Sequence, residues 1–391
     1  MNTKFIEICE KIGSGATPKG GKEAYCTEGI SLVRSQNVLD FDFSCDGLAY
    51  INNEQAARLS NVELQENDVL LNITGDSVAR ACMIDKDYLP GRVNQHVAII
   101  RGKKDRVINA YLLYFLQWRK DYLLQLASAG ATRNALTKGM IEQLELDLPT
   151  LDEQERIVTV LNMLQEKIKN NKQINDNLFE QMQTLYRSWF VDYCPFGGSK
   201  PESWMQTDIY SLANIIYGAP FASKQFNTKG EGKPIIRIRD LKDQQFATYT
   251  TEVHPKGYLL QPGDIVVGMD GEFRPYIWGN DEAWLNQRVC VFENKRPNGK
   301  AFLYFTIKPL LYAIEQTQVA TTVIHIGKKD YDAFEVTLPD VSTLDSFDAL
   351  TTPMVKQIVS NCFESKRLAA MRDGLLPKLM SGEIDVSDIS L

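Results

Sequence analysis

The chain has 391 residues, 44% of them hydrophobic and 24% charged, with a net charge of -7, which allows two or three ordinary globular domains. It contains no apolar run of about 18 residues, and its start does not resemble a signal peptide, so we expect a cytoplasmic protein without a membrane span. The seven cysteines stand singly and the three histidines lie far apart, which argues against a disulfide framework and a zinc site.

Read in order, the sequence repeats itself. GATPKGGKEAY from Gly15 corresponds to GAPFASKQFNT from Gly218, and LVRSQNVLD from Leu32 corresponds to IIRIRDLKD from Ile235. Three further blocks follow in the same order, namely LQENDVLL with LQPGDIVV, VNQHVAIIRGK with LNQRVCVFENK, and residues 129–149 with 319–339. The separation shrinks in steps from 203 to 190 residues, as expected when surface loops lose residues. Five ordered blocks indicate a tandem duplication.

Each copy contains short β-branched runs that predict strands, together with segments that predict helices. The predicted strands include 68–74 and 94–101 in the first copy and 264–269 and 286–293 in the second, and the predicted helices are 110–129 and 302–317. Mixed short strands and helices are typical of α+β domains. We therefore predict two similar α+β domains, over residues 1–150 and 196–341.

A long helix is predicted between the copies, within residues 151–195. Apolar residues recur there every seven positions in two rows, which is the pattern of a coiled-coil seam. After Pro149, Asp152 is expected to cap the helix and Glu155 to complete the cap. The predicted seam residues are Ile157, Leu161, Leu164, Ile168, Asn171, Asn175, Leu178, Met182 and Leu185.

A weaker seam of the same period follows the second copy, within residues 342–391. Its members include Met354, Ile358, Asn361, Leu368 and Leu375. Pro353 is tolerated only in a first turn, so the sequence predicts a helix start near Thr352. If the two helices pair antiparallel, the polar positions in the middle of each seam can satisfy one another. The expected architecture is a pseudo-twofold tandem repeat on an antiparallel coiled coil; two unrelated amphipathic helices are the alternative.

The sequence contains no convincing catalytic motif. A base methyltransferase would need a glycine-rich strand-to-helix turn and an (N/D)PP(Y/F) tetrapeptide, and neither occurs. ATPKGGKE departs from a phosphate-binding loop because Ala16 replaces its first glycine and Glu23 its Ser or Thr. The acid-x-lysine pairs at 231 and 233 and at 364 and 366 match only a very short nuclease pattern. A binding protein without a cofactor or metal of its own is favoured over an enzyme.

The loops of both copies contain concentrated hydrogen-bond donors. Arginine, asparagine and glutamine are the side chains that contact base edges in the DNA major groove. A net charge of -7 does not by itself favour nucleic acid, but these loop residues differ between the copies while the framework is kept. The candidate DNA-binding residues are Arg34, Gln36, Asn37, Arg133, Asn134 and Lys138 in the first copy and Arg237, Arg239, Arg274, His325, Lys328 and Lys329 in the second.

Two segments resemble a known family. LPTLDEQERIVTVLNMLQEKI with SWFVDYCPF is similar to the central conserved region of the specificity subunits of type I restriction-modification enzymes, and GLLPKLMSGEI is similar to their distal conserved region. The order domain, helix, domain, helix matches the family's layout along the whole chain. The resemblance does not carry over to individual base-contacting residues, because the recognition domains of this family diverge strongly.

The resemblance implies a non-catalytic subunit with two target recognition domains, each binding one half of a bipartite double-stranded DNA sequence. It implies that the helices set the spacer and dock two methyltransferase subunits, which bring AdoMet and adenine-N6 methylation. Motor-nuclease subunits of the same complex bring ATP-dependent translocation and cleavage. The alternatives are a protein-interaction scaffold with paired binding heads, and a nuclease or methylase in its own right.

Overall fold

The computed structural model describes residues 2–18, 20–128, 134–317 and 325–387. The chain forms two compact units. Unit 1 consists of Met1–Glu166 with Leu368–Leu391, and unit 2 consists of Lys167–Arg367. Each unit therefore combines one copy of the sequence repeat with a part of each long helix.

Unit 1 is a mixture of small sheets and helices. Its strands are β1 (Asn2–Lys4), β2 (Cys9–Ser14), β3 (Ile30–Val33), β4 (Ala49–Ile51), β5 (Val69–Asn72), β6 (Ala81–Met83), β7 (Gly91–Val93), β8 (Val97–Gly102) and β9 (Glu145–Asp147). Its helices are α1 (Phe5–Ile8), α2 (Asn53–Arg58), α3 (Asn109–Trp118), α4 (Lys120–Ser128), α5 (Lys138–Glu142) and the first part of α6 (Leu151–Phe190).

Unit 2 has the same kinds of elements. Its strands are β10 (Met205–Asp208), β11 (Ala213–Tyr217), β12 (Phe226–Asn227), β13 (Lys233–Ile236), β14 (Tyr249–Thr250), β15 (Leu259–Leu260), β16 (Ile265–Gly268), β17 (Pro275–Ile277), β18 (Ala283–Leu285), β19 (Val289–Asn294) and β20 (Glu335–Leu338). Its helices are α7 (Lys300–Thr317), α8 (Lys328–Asp332) and the first part of α9 (Val341–Met380).

The sheet topologies of the two units correspond, except that the three-stranded sheet β4-β3-β7 of unit 1 has a five-stranded counterpart, β12-β14-β13-β18-β15, in unit 2. The sheet β2-β8-β5-β6 is repeated as β11-β19-β16-β17, and the antiparallel pair β1-β9 is repeated as β10-β20. The parallel pair β3-β7 is repeated as β13-β18. The prediction of a duplicated α+β fold is confirmed.

Buried apolar side chains of each main sheet pack against helices. In unit 1 the core joins Val69 and Ile100 of the sheet to Leu112 of α3 and Leu161 of α6. In unit 2 the core includes Phe292 of β19, residues of α7 and α9, and Met182 of α6. Each half of α6 is therefore held by burial of its apolar face, which supplies most of the stability of helices in proteins.

Most predicted elements are found close to their expected positions, with two local differences. The segment 110–129 is split, because α3 ends at Trp118 and α4 begins at Lys120. The cap of α6 lies two residues earlier than predicted. The amide of Glu153 donates to the hydroxyl of Thr150 (3.3 Å), and the Glu153 carboxylate accepts from the amide of Thr150 (2.8 Å), so Thr150 is the capping residue rather than Asp152.

The prediction that the second helix starts near Thr352 is wrong, because α9 begins at Val341 and runs through Pro353. Proline lacks the amide hydrogen that would bond to the carbonyl of Ala349, and this loss is unfavourable inside a helix. The turns before Pro353 are held by packing, since Leu344 and Phe347 are both buried in the unit 2 core. Burial here outweighs the intrinsic preference of proline for a helix start.

The two long helices pair antiparallel within each unit. In unit 2, the side-chain amide of Asn361 donates to Oδ1 of Asn175 (2.8 Å), and Asn171 donates to Glu364 (2.8 Å). In unit 1, Arg372 donates to Gln165 (2.6 Å). Numbers fall along α6 as they rise along α9, so the predicted antiparallel pairing and the contact between polar seam positions are confirmed. All fourteen predicted seam residues are buried or half-buried.

Asp340 caps the start of α9. Its carboxylate accepts hydrogen bonds from the hydroxyl of Ser342 (2.6 Å), the amide of Thr343 (2.9 Å) and the indole N–H of Trp204 (3.1 Å). These bonds, the Ser342 hydroxyl foremost, hold the pKa of the Asp340 carboxyl well below its usual range. The folded protein therefore favours the ionised form of Asp340.

We expect Asp340→Ala to lower the free energy of unfolding at pH 7 by about 0.5–2 kcal/mol, the usual cost of losing a helix cap. Because the folded pKa is depressed, this stabilisation is present above the ordinary aspartate pKa of about 3.9 and is lost as pH falls through the folded value. Urea unfolding of both proteins between neutral and acidic pH should show their difference shrinking. A difference independent of pH would contradict this assignment.

Candidate functional site

Two short turns hold the first group of predicted donors. The 3-10 turns Ser35–Asn37 and Ile238–Asp240 follow the equivalent strands β3 and β13. In each turn a side-chain oxygen accepts a hydrogen bond from the backbone amide three residues earlier, from Arg34 to Asn37 (3.0 Å) and from Arg237 to Asp240 (3.0 Å). Asn37 and Asp240 are buried and act in the turn itself.

The two equivalent arginines are engaged inside their own units. Arg34 donates to the carbonyl of Gly47 and lies over the ring of Tyr25. Arg237 donates to the hydroxyl of Thr248 and lies over the ring of Phe226. In both, the Nε atom is buried without a hydrogen-bond partner among the described residues. These contacts hold the loops in shape, so the predicted DNA contact of either arginine remains a prediction.

A second pair of equivalent turns joins strands of different sheets. Residues 94–96 connect β7 to β8, and residues 286–288 connect β18 to β19. Both turns begin with an asparagine, whose side-chain oxygen accepts a backbone N–H, from His96 (3.0 Å) in unit 1 and from Gln287 (2.9 Å) in unit 2. The repeat NQH and NQR marks these turns in the sequence, but we did not include them among the predicted site residues.

Both turns are packed closely against a glycine. A Cβ atom at Gly15 would lie 1.8 Å from the carbonyl oxygen of Val93, and one at Gly218 would lie 2.0 Å from that of Asn286. Only glycine permits such an approach of two backbones. In both units, therefore, a close glycine contact constrains the backbone at the turn or directly before it.

In unit 1 the turn carries a chain of hydrogen bonds that includes no arginine and no carboxylate. The hydroxyl of Thr17 donates to the side-chain oxygen of Gln95, whose amide nitrogen lies 3.0 Å from Nε2 of His96. Nδ1 of His96 lies 2.6 Å from the hydroxyl of Thr74. Gln95 and Thr17 are exposed, and the other two residues are half-buried.

In unit 2 the equivalent turn carries a charged cluster. Nη1 of Arg288 lies 3.4 Å from Oδ1 of Asp270 and 2.9 Å from Nδ1 of His325. Nδ1 of His325 also lies 2.7 Å from the same Asp270 oxygen. A ring nitrogen at this distance from a carboxylate oxygen carries the shared proton, so Nδ1 donates to Asp270.

The loops that directly precede α5 and α8 reach the same region of their units. Isolated bridges join Thr74 to Ala135 in unit 1 and Asp270 to His325 in unit 2, and the amide of Gly75 donates to the carbonyl of Asn134 (3.2 Å). The structure thus brings the predicted residues Asn134 and His325 beside the two turns. Arg133 lies outside the described residues.

The remaining predicted donors differ in how firmly they are held. Arg274 forms a bidentate pair with Glu315 of α7, and the Arg274 guanidinium holds the pKa of the Glu315 carboxyl below its usual value. Gln36 is exposed and donates to the carbonyls of Asp46 (3.2 Å) and Gly47 (3.1 Å). The exposed cations are Lys138, Arg239, Lys328 and Lys329; Lys138 and Lys328 pair with acids one turn along their helices, and Arg239 lies beside Asp240.

Within residues 2–18, 20–128, 134–317 and 325–387, the structure shows neither a metal-binding cluster nor a membrane-spanning helix. No group of three or more His, Cys, Asp or Glu side chains lies close enough together there to hold a metal ion. Among these same residues, no helix combines the length and apolar character needed to cross a membrane. Within the described part, Cys9, Cys82 and Cys290 are buried, Cys362 is half-buried, and Cys26, Cys45 and Cys194 are exposed.

Two units of one topology, with different side chains at equivalent turns, define a duplicated protein with two candidate binding surfaces. The family model of the type I restriction modification DNA specificity domain matches residues 4–180 and 201–360. The chain belongs to this family, which confirms the resemblance seen in its sequence.

Individual relatives are similar over different lengths. The chain is 24% identical to the specificity subunit of the type I restriction enzyme MjaIX of Methanocaldococcus jannaschii, over 99% of this chain and 94% of that protein. It is 37% identical to the EcoBI specificity subunit of Escherichia coli over 36% of this chain and 30% of that protein. The S subunit structure from M. genitalium matches with a TM-score of 0.55 at 13% identity, covering 97% and 96% of the two chains, and supports the fold alone.

Proposed function

We propose that this chain is the DNA sequence-specificity subunit of a type I restriction-modification enzyme. Each unit binds one half of a bipartite double-stranded target, and the two halves differ in sequence. The observation that carries the proposal is the pair of equivalent turns at 94–96 and 286–288, which occupy the same place between strands of the two units but end in different side chains, half-buried His96 and exposed Arg288. Family membership of the chain supports the same function.

DNA recognition by each unit would use two kinds of contact, one to phosphates that positions the unit and one to base edges. Exposed lysines and loop amides would contact phosphates, which hold a protein on DNA without reading its sequence. Side chains of the turns would contact base edges, where each good bidentate contact is worth about 1–3 kcal/mol of discrimination. The predicted residues Arg239, Lys328 and Lys329 belong with the first group, because they are exposed and carry charge.

The long helices α6 and α9 are proposed to set the spacer between the half-sites and to dock two methyltransferase subunits. The Asn175–Asn361 hydrogen bond supports the first role, because a buried polar pair in a helix seam fixes its register. Exposed apolar side chains on the helices, such as Met163 and Met371, support the second role, because apolar side chains on a surface are available to a partner.

The chain itself is proposed to be non-catalytic. Methylation of adenine with AdoMet would be carried out by the methyltransferase subunits, and ATP-dependent translocation and cleavage by motor-nuclease subunits of the complex. The absence of methyltransferase and phosphate-loop motifs from the sequence supports this division. Such a complex would act on DNA in the cytoplasm.

The test is co-expression of this chain with the methyltransferase subunits of its host, followed by mapping of every methylated adenine. We expect a split motif with a fixed spacer. Exchange of residues 1–150 for those of a relative should change one half of the motif and leave the other half and the spacer unchanged. A stable complex that methylates nothing, or no complex at all, would contradict the proposal and favour an interaction scaffold.

A further inference from the structure

We propose that Arg288 is a base-contacting residue of unit 2 and that its target is a guanine in the half-site bound by this unit, with Asp270 and His325 as positioning residues. This inference rests on the proposed function. It concerns a residue that the sequence pattern did not single out, and it assigns one base of the target from the chemistry of a side-chain cluster.

The backbone of Arg288 is unusual. Its φ angle is +73°, in the left-handed region that side chains other than glycine rarely adopt. The amide of Met269 donates to the carbonyl of Arg288 (2.8 Å), and the amide of Val289 donates to that of Asn286, so the residue is held on both sides. Such conformations persist where the surrounding structure fixes them and occur often at ligand-binding sites. The side chain is 53% exposed on this rigid turn.

The guanidinium is held by one end only. Nη1 donates to Oδ1 of Asp270 (3.4 Å), because the protonated Nδ1 of His325 beside it cannot accept, whereas Nη2 and Nε make no hydrogen bond to any residue that the structure describes. A planar guanidinium fixed at Nη1 presents the N–H of Nε and one N–H of Nη2 as a pair of parallel donors. Guanine is the base that offers two adjacent acceptors, O6 and N7, in the major groove, and arginine is their commonest partner.

The ion pair with Asp270 favours a base over a phosphate as the target. The Asp270 carboxylate beside the guanidinium would repel a phosphate anion, so the net attraction of Arg288 for a phosphate is reduced. It leaves the two free N–H donors available to a neutral base edge. The hydrogen bond from His325 holds the Asp270 carboxylate in place, and that carboxylate holds the Arg288 guanidinium.

Unit 1 differs at the equivalent position. His96 replaces the arginine, and both of its ring nitrogens are engaged, by Thr74 and Gln95. A guanidinium-like pair of donors is therefore not offered there. The inference predicts that the two half-sites differ at the base pair contacted by this turn.

The experiment compares methylation motifs of co-expressed complexes carrying wild-type chain, Arg288→Lys or Asp270→Asn. Arg288→Lys keeps the positive charge and removes the planar fork, and Arg58→Lys, at an exposed arginine of α2 that pairs with Glu54 away from both turns, is the control. Exchange of residues 1–150 first identifies which half-site belongs to unit 2. Thermal unfolding of each purified chain establishes that it is folded.

We expect a guanine in the unit 2 half-site of the wild-type motif. Arg288→Lys should reduce the preference for that guanine by about 5- to 150-fold, while the other half-site and the Arg58→Lys motif stay unchanged. Asp270→Asn should weaken the same preference to a smaller degree. If the Arg288→Lys chain fails to assemble with the methyltransferase subunits, the methylation motif of the Asp270→Asn complex tests the inference instead. That motif should then show the weakened preference for the guanine.

A unit 2 half-site without guanine would overturn the inference, as would an unchanged motif in the deciding variant. Equal weakening at every base pair, in a chain with normal thermal stability, would also overturn it, because that result is expected of a phosphate contact. A wild-type complex without a split motif would reject the proposed function and this inference with it. A normal wild-type motif with an insensitive Arg288 would reject the inference alone.

Discussion

Replacing Phe347 with alanine is expected to lower the free energy of unfolding of unit 2 by about 3–5 kcal/mol, the usual range for truncating a buried phenylalanine. The Phe347 side chain is fully buried. Its ring centroid lies 4.9 Å from that of Phe190, 5.8 Å from that of Trp189 and 6.4 Å from that of Tyr186. Alanine would leave a cavity between α6 and α9, and it would also remove favourable edge contacts between the rings.

Leu350→Ala is the matched control, because Leu350 lies on the same helix three residues further on and is 47% exposed. Chemical denaturation of both variants should show a large loss for Phe347→Ala and a change within about 0.5 kcal/mol for Leu350→Ala. Similar losses of unfolding free energy in the two variants would mean that packing in the aromatic cluster does not stabilise the part of α9 that precedes Pro353.

Replacing Arg101 with methionine should destabilise unit 1 by about 3–5 kcal/mol, because it leaves a buried carboxylate without its charge partner. The Asp68 side chain is 0% exposed, and that of Arg101 is 13% exposed. Both oxygens of Asp68 accept from the guanidinium at 2.6 Å, and Oδ2 also accepts from the amide of Gln65 (2.8 Å). Methionine keeps much of the packing volume of the arginine stem.

The double variant Asp68→Asn, Arg101→Met tests the cause. Asparagine removes the uncompensated charge and keeps an acceptor for Gln65, so we expect much of the lost stability to return. Arg58→Ala is the surface control, because the pair of Arg58 with Glu54 is exposed and should contribute less than about 1 kcal/mol. A double variant no more stable than Arg101→Met would show that lost packing, rather than the buried charge, causes the effect.

Features with a strong period or repeat could be predicted from the sequence. The heptad rows identified both long helices, and the ordered blocks identified the duplicated α+β domains, because burial imposes these patterns on every turn or strand. Local features were less predictable. Thr150 and Asp152 are both able to cap a helix, and reciprocal hydrogen bonds with Glu153 select Thr150. Pro353 marks a helix start in most settings, but packing of the preceding turns extends α9 back to Val341.

The candidate site could be predicted only as a set of loops. Arg34 and Arg237 stood out as donors in the sequence, but nothing in the sequence pairs them with Gly47 and Thr248, which lie 13 and 11 residues further along, so these contacts could not be predicted. Arg288 was passed over because its neighbours Asp270 and His325 come from separate segments. Only the repeated tripeptide at 94–96 and 286–288 hinted at a shared turn.

The glycines at 15 and 218 have a consequence for how the two halves diverged after duplication. Any side chain at either position would collide with the backbone of the neighbouring turn, so mutation there was barred in both copies. The close backbone approach is thereby kept in both copies, while the last side chain of the turn differs, His96 in one copy and Arg288 in the other. A gene of this kind can acquire a new base preference by a point mutation in the turn while the glycine contact beside the turn is kept.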